Sequence, residues 1–408
     1  MVPAMTAPSA RAVLALSDFR SYLGTRFLST LALQMVSVAV GWQVYDLTGD
    51  PLHLGMVGLV QFVPALLSAL PAGHVADRFD RRRVLLVCLM LETVSLGALL
   101  ALSLMTAPPL EALLAVLAVM GATRAFIQPA SQSLVPHLVP TELFPRAVAW
   151  TSSAFQTAVI AGPALGGFLY VFGVTTVYAT AAAMMALAAL AVSRLKVRLV
   201  VHAITEPGLT GLLAGIRYVW TRKDILGAVS LDLFAVLLGG ATALLPIFAR
   251  DILHVGPMGL GLLRSAPAVG AALMALWLAH HPLERQAGTR MFLAVGVFGL
   301  ATVAFGLSSS FWLSLAALTV LGGADMISVV VRQTLVQART PDEMRGRVSA
   351  VNFVFIGASN ELGEFESGVT AALFGTVPAV VIGGLGTLAV AALWAWKFPT
   401  LRKVDRLT

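Results

Sequence analysis

The chain has 408 residues, of which 58% are hydrophobic and 12% charged, with a mean hydropathy of +0.88. Soluble domains carry about 25% charged residues, so this composition excludes a water-covered surface and implies an integral membrane protein. The net charge of +7 does not point to nucleic acid, because the basic residues sit in short connections between apolar runs, where they set topology.

A membrane-crossing helix needs ~20 apolar residues. Apolar runs bounded by Gly, Pro or charge predict twelve of them, an all-α architecture. In the first half they cover 20–46, 53–75, 82–106, 110–136, 146–172 and 175–194. In the second they cover 226–249, 257–280, 289–308, 311–337, 348–374 and 377–397. Polar and charged residues interrupt the N-terminal stretch, so no cleavable signal is expected there. The single cysteine, Cys88, lies in an apolar run and allows no disulfide within the chain.

Lys and Arg alternate between the two sides. The connections near 47–52, 107–109, 173–174, 309–310 and 375–376 have none, and the one near 250–256 has only Arg250. The others carry Arg78, Arg81, Arg82 and Arg83, then Arg194, Lys196, Arg198, Arg217, Arg222 and Lys223, then Arg285 and Arg290, then Arg339, Arg345 and Arg347. The positive-inside rule makes these loops and both termini cytoplasmic. In the long connection 195–225, Leu209, Leu212, Leu213, Ile216, Val219 and Trp220 recur at helical spacing beside basic residues, predicting a helix on the membrane interface.

The two halves repeat. A shift of 201 places Gln132–Val135 on Gln333–Val336, Pro140 on Pro341, Glu142 on Glu343, Arg146 on Arg347, Gly162 on Gly363 and Gly167 on Gly368. A shift of 206 places Pro51, Leu54, Gly55, Ala65, Ala69, Leu70 and His74 on Pro257, Leu260, Gly261, Ala271, Ala275, Leu276 and His280. The expected organisation is therefore two pseudo-symmetric six-helix bundles, 1–194 and 226–408, joined by the linker 195–225.

The stretch Gly73–Val84, GHVADRFDRRRV, sits between spans 2 and 3 with Gly73, Asp77 and Arg81 at i, i+4, i+8. It resembles the loop between helices 2 and 3 of the major facilitator superfamily, of form G-x-L-A-D-R-x-G-R-R, with Asp80 where the family usually has Gly. Span 5 contains Gly162, Pro163, Gly166 and Gly167, similar to the G-P-x-x-G-G motif of exporters in that superfamily; ordinary helix packing would use the same residues. The resemblance implies the major facilitator fold and alternating access between the halves. It also implies a cytoplasmic gate in which Asp77 meets the start of helix 11 near Arg347–Ser349, with Arg78, Arg81 and their neighbours in further ion pairs. The pattern is most like the drug and siderophore exporters of bacteria.

Charges inside the spans are costly and carry the functional reading. The acids are Glu92, Asp232, Asp325, Glu361, Glu364 and Glu366, and the bases are Arg26, Arg124, Arg264 and Arg332. Gly357, Glu361, Glu364 and Gly368 form one stripe on span 11, so the two carboxylates face the same way and compete for protons. Permanent pairing with Arg332 or Arg124 is the structural alternative. The 201 shift superposes Arg124 on Asp325, making them candidates to face each other across a central cavity or to form a gate ion pair broken during the cycle, with a static interhelical bridge as the alternative. Glu92, alone in span 3, fits a structural or pore-edge role. Asp232, Asp325, Glu361, Glu364, Arg124, Arg332 and Arg26 are thus the expected proton- or substrate-coupling groups.

No nucleotide-binding, zinc or catalytic motif is present, so no enzyme activity, metal or cofactor is expected. The expected function is proton-coupled efflux of a siderophore or drug-like molecule by a monomer in the bacterial inner membrane, with protons, substrate and lipids as partners. Uptake of a small metabolite, lipid flipping and membrane sensing are the alternatives.

Overall fold

A computed structural model describes residues 12–196, 208–283 and 285–405. Twelve long helices run through the described residues. In the first half they are α1 (Ser17–Thr48), α2 (Pro51–Arg78), α3 (Arg81–Ser103), α4 (Leu110–Gln132), α5 (Phe144–Tyr170) and α6 (Val174–Ser193). In the second they are α7 (Lys223–Ile252), α8 (Gly256–His280), α9 (Ala287–Gly306), α10 (Phe311–Arg339), α11 (Asp342–Phe374) and α12 (Thr376–Lys397). Ten are long and apolar enough to cross a membrane. The other two, α5 and α11, match them in length but are enriched in Gly and Ser, with Glu361, Glu364 and Glu366 in α11. Both lie on the seam between the halves.

The helix ends follow local chemistry. Gly49 closes α1 at φ +62°, where a side chain would be strained. The Asp50 carboxylate then accepts from the Leu52 amide at 2.9 Å, and Pro51 opens α2 with no amide to satisfy. Asp80 caps α3 in the same way through the Arg82 amide at 2.9 Å. Most expected boundaries hold within a few residues. Two differ more: α11 starts at Asp342 rather than 348, and α4 ends at Gln132, followed by a short turn at Val135–Leu138. Helix α7 is broken. After Leu238 it passes through Gly239 and Gly240, a 3-10 turn at Ala241–Leu244 and a π-turn at Phe248–Ile252.

Neighbour relations repeat with an offset of six helices. Within the first half α1 touches α5 and α6, α2 touches α4, and α3 touches α4 and α6. In the second half α7 touches α11 and α12, α8 touches α10, and α9 touches α10 and α12. Between halves the main contacts are α2 with α11 and α5 with α8, which the same offset interchanges. At both seams glycine meets glycine. A methyl group on Gly55 would lie 3.1 Å from Gly368 Cα, and one on Gly167 would lie 3.0 Å from Gly261 Cα. The repeat that aligns Gly55 with Gly261 and Gly167 with Gly368 therefore generates two equivalent close approaches, both on the side away from the arginine-rich loops.

The span 5 motif divides its glycines between two neighbours. Gly162 and Gly166 meet α1, with a methyl on Gly166 at 2.7 Å from the Met35 carbonyl, while Pro163 and Gly167 meet Gly261 of α8. Overfilling a close contact costs ~1–3 kcal/mol. Gly167→Val is expected to disfavour closure of the halves on that side, so that cysteines placed in the cleft become more reactive from it. Gly166→Val strains contacts inside one half and is expected to lower stability while leaving that reactivity unchanged.

Residues 197–207 of the linker lie outside the described residues. From Gly208 to Thr221 it is helical, and its Gly215, Ile216 and Val219 face abuts Val348 and Val351 at the start of α11.

Candidate functional site

A cleft lies between the halves, lined by α1, α2, α4, α7, α8 and α11. Its cavity volume is about 60 Å³, and it is partly open to solvent. Most of its wall is aliphatic (Leu33, Val36, Val57, Met120), and its polar groups include Gln61, Arg124, Arg264 and Glu364. Across it, Arg124 Nη1 on α4 reaches Glu361 Oε1 on α11 at 3.4 Å, with the two side chains 48% and 24% exposed. Glu364, one turn further, rests on Gly58 of α2, where any side chain would collide with its carboxylate. Arg264 makes no ion pair among the described residues. Two carboxylates and two guanidiniums thus share one membrane-embedded cleft, and one ion pair among them ties the halves together.

The remaining expected residues divide into separate groups. Arg332 on α10 and Asp232 on α7 form a buried pair at 2.7 Å, their side chains 3% and 7% exposed. Arg332 also reaches Asn352 Oδ1 on α11 at 3.4 Å, while its Nε has no partner among the described residues. Asp325 lines a small pocket with Asp232, Phe298 and Ser328, inside the second half. Arg124 and Asp325 therefore do not face each other across the cleft, contrary to the expectation from the repeat. Equivalent helix positions do not give equivalent reach: the long arginine extends into the cleft, and the short aspartate stops within its own half. Nor does Arg332 hold Glu361 or Glu364.

Arg26 lies nearer the basic end, 3.4 Å from Gln128 Oε1 and with its guanidinium 5.0 Å from the Phe155 ring centroid. Glu92 is buried between α3 and α4, accepting a hydrogen bond from the Thr123 hydroxyl. Glu366 accepts from Thr370 at 2.8 Å and takes no part in the cleft pair.

Of the loop motif, Gly73 and Asp77 fall on α2, but the Asp77 side chain lies outside what the structure describes. Arg78 is exposed. Arg81 donates to the Ser133 carbonyl at 3.4 Å and approaches His137 Nε2 at 3.0 Å. Arg82 donates to the carbonyls of Val192 and Ser193. The expected ion pairs are thus replaced, for these two arginines, by carbonyls at the ends of α4 and α6, where the helix dipole favours a cation. Arg83 approaches Asp80 at 3.9 Å.

A second set of cross-half bonds was not anticipated. At the end opposite the arginine-rich loops, Arg250 lies 3.1 Å from Asp46 and sits over the Tyr45 ring at 5.4 Å, and the Tyr45 hydroxyl donates to Asp251. The π-turn at Phe248–Ile252 places Arg250 and Asp251 against the last turn of α1. The signal was present: Arg250 is the lone Lys or Arg among the connections on that side. Exposed pairs contribute ~0.2–1 kcal/mol each. Losing the Arg250 contacts of this set through Arg250→Ala is expected to shift the two-state balance several-fold toward opening at this end, read as longer distances between spin labels on the ends of α1 and α7. Unchanged distances would make these bonds incidental.

The family model described as Major Facilitator Superfamily matches residues 22–364. The enterobactin exporter EntS of Citrobacter koseri is 27% identical over 398 residues, covering 94% of this chain and 92% of that protein. The multidrug efflux pump Tap of Mycolicibacterium fortuitum is 27% identical over 384 residues, covering 90% and 92%. Among solved structures, the nucleoside transporter NupG superposes with a TM-score of 0.69 at 16% identity, covering 95% of this chain and 99% of that one. A bacterial homologue of the iron transporter ferroportin gives 0.73 at 14% identity, covering 95% and 98%.

Proposed function

The chain belongs to the Major Facilitator Superfamily, and from that premise we propose that it exports a siderophore or drug-like molecule in exchange for protons. It is a multi-pass membrane transporter with efflux-type relatives. The observation that carries the proposal is the Arg124–Glu361 bond across the cleft, with Glu364 one turn away and Arg264 in the same wall. A proton on Glu361 removes the charge that Arg124 contacts and weakens a bond between the halves. The freed guanidinium then offers a cargo a cationic partner within an aliphatic wall. Loss of the proton restores the pair and closes the cycle. Charge state is thereby linked to the relative position of the halves, which is the requirement for coupled alternating access.

In this reading the arginine-rich loops and both termini are cytoplasmic, the membrane is the bacterial inner membrane, and the monomer is the working unit. The bundles 1–194 and 226–408 rock about the cleft, with 195–225 as the link. Tyr45, Asp46, Arg250 and Asp251 close the outer side. The motif containing Asp77 closes the inner side. Asp232 and Arg332 brace α7 against α10, and Asp325 lines the pocket beside that brace. Deleting the gene should raise intracellular levels of the exported compound. A fall instead would favour uptake.

A further inference from the structure

We propose that the outward face of the linker helix Gly208–Thr221 is a docking surface for anionic phospholipid headgroups. This helix has apolar bulk on two opposed faces, and protein covers only one. On the covered face, a methyl on Gly215 would lie 2.8 Å from the Arg347 carbonyl, and Val219 is buried beside Val348 and Val351. The Tyr218 hydroxyl donates to the Arg339 carbonyl at 3.2 Å, fixing the rotation of the helix. Diametrically opposite lie Leu213, Arg217 and Trp220, spaced i, i+4, i+7. Leu213 is 59% exposed and Trp220 67%.

A helix bathed in water on that side would gain nothing from a leucine and a tryptophan there. Tryptophan is favoured at the level of lipid headgroups, where its ring is half in hydrocarbon and its N–H remains hydrated. Arg217 between them, and Arg222 and Lys223 just beyond, are exposed and have stems long enough to keep their charges among headgroups. The local charge is unbalanced. Among the described side chains of this corner, Arg217, Arg222, Lys223 and Arg339 stand against one carboxylate, Asp224, which Arg222 approaches at 3.8 Å and Arg339 at 3.0 Å. An apolar stripe edged by surplus cations matches a leaflet containing anionic lipid, whose surface attracts each nearby cation within about a Debye length. The same helix is seated on the start of α11, the helix that carries Glu361 and Glu364, so lipid held here steadies the base of that helix.

The test uses the whole protein in nanodiscs of phosphatidylcholine containing a minor fraction of phosphatidylglycerol, with one or the other lipid brominated to quench tryptophan. Subtracting the Trp220→Phe spectrum from the wild-type spectrum isolates Trp220 among the seven tryptophans. The Trp220 signal should be quenched at least about twofold more by brominated phosphatidylglycerol than by the same fraction of brominated phosphatidylcholine. That excess should vanish in Arg217→Gln/Lys223→Gln. Equal quenching by the two lipids, no quenching by either, or an excess that survives the double substitution would each overturn the proposal. Should the phenylalanine variant not fold, a spin label at Leu213→Cys in a Cys88→Ser background reads the same preference by relaxation from headgroup-labelled lipids. Transport is not measured, so failure here leaves the efflux reading standing.

Discussion

Arg332→Met is expected to destabilise the protein by about 3–5 kcal/mol, the cost of leaving a buried carboxylate without its partner. Asp232 would lose a contact at 2.7 Å in a site with almost no solvent access. Asp325 shares the adjoining pocket, so two acids would remain there with no cation. Adding Asp232→Asn to Arg332→Met removes the orphaned charge at that position and should recover most of the loss, because replacing both members of a buried pair is often near neutral. Arg124→Met is the contrasting case. Its guanidinium is about half exposed and lies 3.4 Å from Glu361, so its removal should cost no more than about 1 kcal/mol. Thermal midpoints of the four proteins in one detergent would check the order: wild type, Arg124→Met and the double variant close together, Arg332→Met well below. A small effect at Arg332 would mean that water reaches this pair.

The second large effect is functional. Glu361→Gln/Glu364→Gln should preserve the fold, since both side chains border the cleft and glutamine keeps their shape. It should abolish the response of transport to a pH gradient, because neither position can then gain or lose a proton. Flux under a gradient should therefore fall to the gradient-free rate. Each single substitution is expected to do less, as the remaining carboxylate occupies the same cleft. Arg332→Met, corrected by Asp232→Asn, should retain gradient-driven transport if the second-half pair is a brace.

How far the sequence reached can be judged residue by residue. The glycine repeat was legible because close helix approach admits no side chain: Gly55, Gly167, Gly261 and Gly368 stood out in the sequence and meet pairwise in the fold. The stripe of Glu361 and Glu364 was legible because helical phase alone fixes which residues share a face. Partner choice was not. Arg124 and Asp325 are equivalent in the repeat, but side-chain length and the neighbouring helix decide where each charge ends, and spacing encodes neither. The contacts of Arg81 and Arg82 with helix-end carbonyls were missed for a related reason, since a backbone acceptor leaves no mark in the sequence. The cross-half bonds of Tyr45, Asp46, Arg250 and Asp251 depend on the π-turn that ends α7, a local irregularity with no period to detect.

The linkage between charge in the cleft and movement of cargo is tested most directly in proteoliposomes with an imposed pH gradient. Wild-type protein and Glu361→Gln/Glu364→Gln would be compared for transport of a dye or siderophore exported by cells expressing the wild type. The efflux reading predicts flux driven by the gradient in the wild type and flux at the gradient-free rate in the double variant. Equal gradient-driven flux in both would contradict it.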